Sequence, residues 1–201
     1  MTNRTLVVSI DALITADIPV LKQLPNLGRV MEHASWITDI ECIYPTLTYP
    51  CHATIATGCW PDRTGINNNE IPDFFAKGRM DWYWWREAIQ VPTVVDFARQ
   101  AGLTASTVTW PVMCASGAEY NIGEIWAPRE EDDPTPWFTR ANSPAVAKIF
   151  EANKHMLRWM KTPQMDEFAA KCAADIIRAH RPDLMLLHLS YVDHQRHRLG
   201  V

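Results

Sequence analysis

The 201-residue sequence lacks several features that mark common classes of protein. Its net charge is −4, so it has no excess of basic residues to neutralise the phosphates of a nucleic-acid polymer. It has no long apolar run, and we therefore expect neither a signal peptide nor a membrane span. No internal repeat is apparent. These absences favour one soluble globular domain with a cytoplasmic location.

Cysteine is present, but not in a pattern that would build a disulfide framework or a thiolate zinc site. The five cysteines are an odd number and include no C-x-x-C pair: Cys42, Cys51, Cys59, Cys114 and Cys172. We expect reduced, partly buried thiols.

Hydrophobic patterning predicts that strands and helices alternate along the chain. Strands are predicted at residues 6–10, 36–40, 103–110 and 184–189, and helices at residues 25–32, 48–57, 91–102, 143–161 and 165–177. The last strand is a continuous apolar run of the kind that is buried on both faces of a parallel sheet. The predicted class is α/β, with a mainly parallel sheet covered by helices on both faces.

Thr48 is the most informative residue. The run from Ile43 to Gly58 is an extended approach, a sharp turn that contains two prolines, and an apolar helix that a glycine ends. Helix N-termini present unpaired N–H groups and a positive dipole end, so a hydroxyl there can meet a phosphate-like group and act as a nucleophile. The alternative is that Thr48 only caps the helix.

Acidic residues follow the first and last predicted strands. Asp11 and Asp193 both lie just past strand ends, where ligands bind in open α/β sheets, so we expect them to converge. Taken singly, Asp11 could cap a turn, and Asp193 with His197 could be a solvated pair on one helical turn. Taken together, carboxylate and imidazole groups are donors that zinc and similar ions prefer.

At these positions the sequence resembles the type I phosphodiesterase/nucleotide pyrophosphatase family of the alkaline phosphatase superfamily. The resemblance rests on the runs VVSID (7–11), PTLTYP (45–50) and PDRTGI (61–66), on Asn69, and on Asp193-x-x-x-His197 followed by Gly200. It extends from residue 5 to the end, although residues 112–180 carry little of it. The resemblance implies an alkaline phosphatase-like fold and the hydrolysis of phosphodiester or pyrophosphate bonds in nucleotide-like substrates.

The resemblance also implies a role for each matching residue. Thr48 would be the nucleophile and form a covalent phospho-threonine intermediate. Two divalent metal ions, zinc in most of the family, would be the cofactors: Asp11 and Thr48 would bind one, and Asp193 and His197 the other. Asn69 would hydrogen-bond a phosphoryl oxygen, with Tyr49 beside it in the substrate site. The partner would be a small phosphorylated molecule, not a nucleic-acid polymer or a membrane.

Two departures from the family pattern stand out. Cys51 occupies a position where the family has asparagine, three residues after the nucleophile. The family also has an Asp-His pair and a final histidine further downstream, beyond Val201. We therefore expect residues 1–201 to be the N-terminal portion of a single catalytic domain, incomplete at its C-terminus, with an exposed apolar sheet edge.

Three further histidines could be considered as metal ligands, and the sequence assigns that role to none of them. His52 lies one helical turn after Thr48 and is interpreted as a packing or supporting residue. His188 is interpreted as a hydrogen-bonded core histidine, and His194 is expected to face away from Asp193.

Alternative functions stay open at this point. A phosphomonoesterase, phosphonate hydrolase or mutase of the same superfamily would share the nucleophile and fold, and a non-catalytic remnant could bind phosphate without turnover. Six aromatic residues after Asn69 either stack against a substrate or cover the core: Phe74, Phe75, Trp82, Tyr83, Trp84 and Trp85.

Overall fold

Parallel strands form the centre of the computed structural model, which describes residues 4–38, 40–71, 81–126, 132–157 and 163–200. The strands are β1 (Thr5–Ile10), β2 (Ala105–Val108), β3 (Tyr120–Ile122) and β4 (Leu184–Leu189). The α-helices are α1 (Ile18–Leu21), α2 (Pro25–Met31), α3 (Thr48–Thr57), α4 (Pro61–Thr64), α5 (Val94–Gln100), α6 (Thr135–Ala141), α7 (Ala147–Asn153), α8 (Gln164–His180) and α9 (Tyr191–Leu199). Short 3-10 helices lie at Thr15–Asp17, Arg86–Ala88, Pro144–Val146 and Lys154–Met156.

The sheet has the order β1-β4-β2-β3 in the described part of the chain, and every pairing in it is parallel. β4 is central and mostly buried, as its continuous apolar run predicts. β1 lies at one edge, where Leu6 and Val8 are 52% and 45% exposed. In the register of this pair, Ser9 of β1 lies opposite His188 of β4.

Two hydrophobic clusters cover the two faces of the sheet. Alternate residues of β4 point to opposite faces, so Leu184 and Leu186 belong to one cluster and Met185 and Leu187 to the other. The first cluster includes buried residues of α3 and α5, and the second includes buried residues of α6, α7 and α8. The predicted α/β class, with helices on both faces of a parallel sheet, is confirmed.

The helix α8 follows directly from its sequence. Its buried residues recur at the spacing of one helical face: Phe168, Ala169, Cys172, Ala173 and Ile176. Arg181 adopts a left-handed conformation with φ 52° and ends the helix before Pro182. The stop at Arg181-Pro182-Asp183 was predicted, and it brings the chain back to the start of β4.

Four predicted elements differ from the structure. Residues 36–38 and 40 form no strand, because no neighbouring strand pairs with them: Ile37 and Ile40 are 79% and 73% exposed, and Asp39 lies outside the described residues. The helix predicted from residue 91 begins only at Val94, since Thr93 is its N-cap. The side chain of Thr93 accepts a hydrogen bond from the backbone N–H of Asp96.

The remaining two differences concern element length. The helix predicted over residues 143–161 is divided into a 3-10 turn, α7 and a second 3-10 turn, and residues 158–162 lie outside the described range. β2 is shorter than predicted because Thr109 adopts φ 49°, which an extended strand cannot accommodate. Among the described residues, no helix is both long and apolar enough to cross a membrane.

Candidate active site

Asp11 and Thr48 meet at the carboxyl edge of the sheet. Asp11 is the first residue after β1, and Thr48 is the first residue of α3. The Thr48 hydroxyl donates a hydrogen bond to Oδ2 of Asp11 at 3.0 Å, while Oδ1 of Asp11 accepts one from the backbone N–H of Ala12 at 3.0 Å. Burial alone would raise the pKa of Asp11, but His188 and Thr48 outweigh it and lower the pKa below its usual value. Asp11 is therefore a carboxylate that orients the hydroxyl.

Asn69 is tied to the same helix N-terminus. Its Oδ1 accepts a hydrogen bond of 2.9 Å from the backbone N–H of Tyr49, which fixes the side-chain amide next to Thr48. The amide nitrogen carries two N–H donors, the groups that a phosphoryl oxygen would accept from. The Tyr49 ring, in contrast, lies in the core, is 1% exposed and packs edge-on against Trp82. In this structure that ring offers no surface to a substrate.

Asp193 lies on α9, directly after β4. The carboxylate of Asp166 holds the start of this helix, because it accepts hydrogen bonds from the backbone N–H groups of Ser190 and Tyr191 at 2.9 and 3.0 Å. Burial and the negative charge of Asp11 raise the pKa of Asp193, so the two carboxylates share one electrostatic environment.

His197 lies next to Asp193 at the rim of the site. Its Nε2 is 3.4 Å from Oδ1 of Asp193, and its side chain is 80% exposed. Arg196, between them on α9, donates hydrogen bonds to the backbone oxygen of Ala12 and to both carboxylate oxygens of Asp17. These contacts anchor α9 to the loop that follows Asp11. The structure thus places the four predicted metal-binding residues as two pairs, Asp11 with Thr48 at the end of β1 and Asp193 with His197 after β4, the strand that pairs with β1.

Two buried histidines lie beneath Asp11. His52 is hydrogen-bonded through Nδ1 to the backbone oxygen of Thr48 at 2.7 Å and through Nε2 to Oγ of Ser9 at 2.8 Å. His188 has its Nε2 3.5 Å from Oδ2 of Asp11, and its ring lies 4.5 Å from that of His52. Potential ligand atoms of Asp11, His52 and His188 all lie within 4.8 Å of one another.

Glu124 completes this buried group. Its Oε1 lies 3.6 Å from Nδ1 of His188, and burial raises the pKa of Glu124 to about 7. Burial also lowers the pKa of His188, but the carboxylates of Asp11 and Glu124 on its two sides outweigh burial and raise it. The sequence did not single out Glu124, and it predicted His188 only as a hydrogen-bonded core histidine with no role in the site. The available signal for His188 was a polar residue, one position before the end of β4, in register with Ser9.

Cys51 lies one turn after Thr48, beside a second thiol. Its Sγ is 3.6 Å from Sγ of Cys42. Burial and the neighbouring Cys42 raise the pKa of Cys51 to about 12, so Cys51 is a protonated thiol at neutral pH. All five cysteines are free, as predicted.

Three of the aromatic residues after Asn69 line a cavity of about 400 Å³, while Tyr83 packs against the hydrophobic core. Trp82, Trp84 and Trp85 contribute to its wall, and the guanidinium of Arg140 packs over the Trp85 ring at 4.4 Å. The rings of Trp82 and Trp84 also contact Trp126 edge-on. Of the six aromatic residues singled out in the sequence, Phe74 and Phe75 lie outside the described residues.

Comparison with solved structures identifies the fold. The solved structure of phosphonoacetate hydrolase from Sinorhizobium meliloti 1021, in complex with phosphonoacetate, superposes with a TM-score of 0.60 at 18% identity, over 96% of this chain and 48% of that one. Murine ectonucleotide pyrophosphatase/phosphodiesterase 5 superposes with a TM-score of 0.56 at 18% identity, over 98% and 46%. The fold is alkaline phosphatase-like.

The sequence comparisons identify the family. Residues 5–201 match the family described as type I phosphodiesterase / nucleotide pyrophosphatase, and the chain belongs to this family. Venom phosphodiesterase 2 of Crotalus adamanteus is 26% identical over 187 residues, which cover 88% of this chain and 19% of the venom protein. Ectonucleotide pyrophosphatase/phosphodiesterase family member 3 of Bos taurus is 22% identical over 192 residues, or 88% and 17%. The chain thus spans about a fifth of the length of these relatives.

Proposed function

We propose that this chain carries the nucleophile of a hydrolase that cleaves phosphodiester or pyrophosphate bonds in small nucleotide-like substrates, and that this nucleophile is Thr48. The observation that carries the proposal is the Thr48 hydroxyl at the first residue of α3, 3.0 Å from the Asp11 carboxylate. The family of the chain and the names of its relatives support the reaction class.

The proposed reaction has two displacements at phosphorus. Oγ1 of Thr48 attacks the phosphorus, the new O–P bond forms as the bond to the leaving oxygen breaks, and the Thr48 hydroxyl proton is released. Water then attacks the same phosphorus, the bond between phosphorus and Oγ1 of Thr48 breaks, the hydroxyl of the water stays on the released phosphate ester, and Oγ1 of Thr48 takes up a proton. The first step leaves the remaining phosphate ester covalently attached to Thr48.

The surrounding residues would position and stabilise this chemistry. Asp11 orients the hydroxyl through Oδ2, and the side-chain amide of Asn69 would donate to a non-bridging phosphoryl oxygen. The positive end of the α3 helix dipole, at Thr48, favours the negative charge of the phosphate. Tyr49 contributes through its backbone N–H, which holds Asn69 in place.

The donor set fits divalent cations. Asp11 and Asp193 are two carboxylates close enough for one to raise the pKa of the other, an arrangement that a cation stabilises. Asp11 and Thr48 would hold one ion, and Asp193 and His197 the second; carboxylate oxygens and imidazole suit zinc. When bound, such ions polarise phosphoryl oxygens and offset the charge that develops on attacking and leaving oxygens.

The test is turnover of a p-nitrophenyl ester of a nucleoside 5′-monophosphate with added zinc, using the complete product of the reading frame that encodes this chain. Thr48→Ala is expected to lower kcat by about 10³-fold or more, and Thr48→Ser to retain part of it. Rapid acid quenching should trap a nucleotide on Thr48, detected by mass spectrometry. Undiminished turnover by Thr48→Ala would remove the proposed nucleophile.

The same assay separates this function from the alternatives within the superfamily. A diesterase should cleave the nucleotide ester much faster than p-nitrophenyl phosphate, and a phosphomonoesterase should show the reverse preference. A protein that binds phosphate but turns over neither ester would be a non-catalytic member of the family.

A further inference from the structure

The buried ring of His188 has one nitrogen that is hydrogen-bonded and one that is not. Nδ1 lies 3.1 Å from the backbone oxygen of Thr109, and because a carbonyl only accepts, Nδ1 must carry the hydrogen. In the neutral ring the lone pair is then on Nε2. Nε2 has no hydrogen-bond partner among the described residues, although the side chain is only 2% exposed.

Nε2 lies 3.5 Å from Oδ2 of Asp11. When the ring is neutral, both atoms are acceptors, and two acceptors that face each other in a buried site repel unless a proton or a metal ion lies between them. An ion about 2.0–2.1 Å from both atoms would subtend a bond angle of roughly 115–120°, close to tetrahedral geometry. Oδ2 is also the atom that accepts the Thr48 hydrogen bond, so one ion could contact all three side chains.

We propose that His188 is a ligand of the metal ion that Asp11 and Thr48 hold. This inference rests on the proposed function and adds an imidazole donor from within the chain to that metal position.

The surroundings of His188 are those of a metal-binding histidine. Such histidines donate their second ring N–H to a carbonyl or a carboxylate, which fixes the tautomer and the ring orientation. Here Nδ1 is 3.1 Å from the Thr109 oxygen and 3.6 Å from Oε1 of Glu124. The Thr109 hydroxyl also donates back to the backbone oxygen of His188 at 2.8 Å, so the two residues are locked together.

The backbone of Thr109 supports the same interpretation. Its φ of 49° is unusual for a β-branched residue and has an energetic cost. This conformation ends β2 and directs both the carbonyl and the hydroxyl of Thr109 toward His188. The strained backbone of Thr109 therefore places the two groups that hold the His188 ring with its Nε2 beside Asp11.

His52 is the matched residue that we do not assign to the metal. It is as buried as His188 and belongs to the same group of potential ligand atoms. Both of its nitrogens are already engaged, Nδ1 with the Thr48 backbone oxygen and Nε2 with Ser9. Binding a metal would require His52 to give up one of these hydrogen bonds.

The competing explanation is a proton. An imidazolium at His188 would also satisfy the carboxylates of Asp11 and Glu124, and His188 would then bind no metal. The test therefore reads metal coordination directly. The protein is labelled with ¹⁵N-histidine and loaded with ¹¹³Cd²⁺, and nuclear magnetic resonance is used to detect a coupling between cadmium and His188 Nε2.

Variants give an independent measurement by competition with a chelator for zinc. His188→Gln is expected to weaken zinc binding at the position of Asp11 and Thr48 by about 100-fold or more, since losing a ligand should exceed the 10–100-fold effect of losing its supporting partner. His52→Gln should change this affinity by less than about 10-fold. Circular dichroism of the metal-free proteins verifies that both variants are folded.

Each outcome separates the inference from the function on which it rests. A coupling at His188, or a selective loss of affinity in His188→Gln, supports the inference. Wild-type protein that binds zinc with no coupling at His188, and with equal affinity in His188→Gln, would overturn it and leave the proposed function intact. Wild-type protein that binds no zinc would overturn both. Because the cadmium–nitrogen coupling is measured on wild-type protein, it tests the inference even if His188→Gln does not fold.

Discussion

Oδ2 of Asp166, on α8, lies 3.0 Å from the backbone nitrogen of Tyr191, at the first residue of α9. Oδ1 of the same carboxylate accepts from the backbone N–H of Ser190 at 2.9 Å. Asp166 therefore satisfies N–H groups that the start of a helix leaves unpaired, although it is remote in sequence. Because α9 carries Asp193 and His197, this contact positions two of the proposed metal-binding residues.

Asp166→Ala should destabilise the protein and weaken metal binding together. We expect a loss of about 1–2 kcal/mol in the free energy of unfolding, measured with urea, because a carboxylate cap is removed. We also expect a loss of about 10-fold or more in the affinity of the Asp193–His197 metal position. Asp166→Asn keeps one acceptor oxygen and should lose less of both. An Asp166→Ala variant with unaltered zinc affinity would show that Asp166 only caps the helix.

Asn69→Asp tests the role of the Asn69 amide nitrogen. Aspartate retains an oxygen that can accept from the Tyr49 N–H, but it loses both amide donors and adds a negative charge beside the phosphate. We expect kcat/KM for the nucleotide ester to fall by about 10²-fold, the effect of removing one donor to a developing anion, with little change in the thermal midpoint.

The neighbouring Asn68 provides the matched control for that variant. Its Oδ1 accepts from the backbone N–H of Asn69 at 2.8 Å, so Asn68→Asp adds the same charge one residue away and retains the acceptor. We expect a change in kcat/KM of less than about 5-fold, the scale of an exposed charge interaction. Equal losses in the two variants would mean that the added charge, not the amide, is responsible.

The sequence predicted the parts of the site that follow directly from strand ends. Asp11 and Asp193 each follow a strand, and the carboxyl ends of parallel strands meet at one edge of a sheet, so their convergence was predicted without tertiary information. Thr48 follows no strand, and its place in the site was predicted from the start of its helix and from the resemblance to the family. The environment of His188 could not be predicted in this way. A histidine inside the run LMLLHL is compatible with an ordinary core position, and only the register with Ser9 reveals that its ring lies beside Asp11.

The strand predicted at residues 36–40 likewise depended on a tertiary contact that the sequence pattern does not show. Its β-branched and aromatic residues favour an extended segment, but a strand exists only when a second strand accepts its hydrogen bonds. Patterning also could not show that Thr109 leaves β2 early, since its positive φ is stabilised by His188, which is distant in the sequence.

The ion pair between Arg86 and Asp96 should make stability depend on pH in the acid range. Nη2 of Arg86 lies 2.6 Å from Oδ2 of Asp96, which also accepts from the backbone N–H and the hydroxyl of Thr93 at the start of α5. Burial alone would raise the pKa of Asp96, but Arg86 and the hydrogen bonds from Thr93 outweigh it and lower the pKa below its usual value. A carboxylate with a lowered folded-state pKa stabilises the protein above the unfolded-state value, and this contribution is lost as the pH falls through the folded-state pKa.

Asp96→Asn should therefore cost about 1–3 kcal/mol in the free energy of unfolding at pH 6, and the difference from wild type should shrink below about pH 4. Urea unfolding at pH 6 and at pH 3.5 measures both values. Asp62→Asn, at an exposed position on α4, is the control and should show a small difference that varies less with pH. A gap between wild type and Asp96→Asn that stayed constant down to pH 3 would contradict the assignment, because a neutral aspartic acid cannot form the ion pair with Arg86.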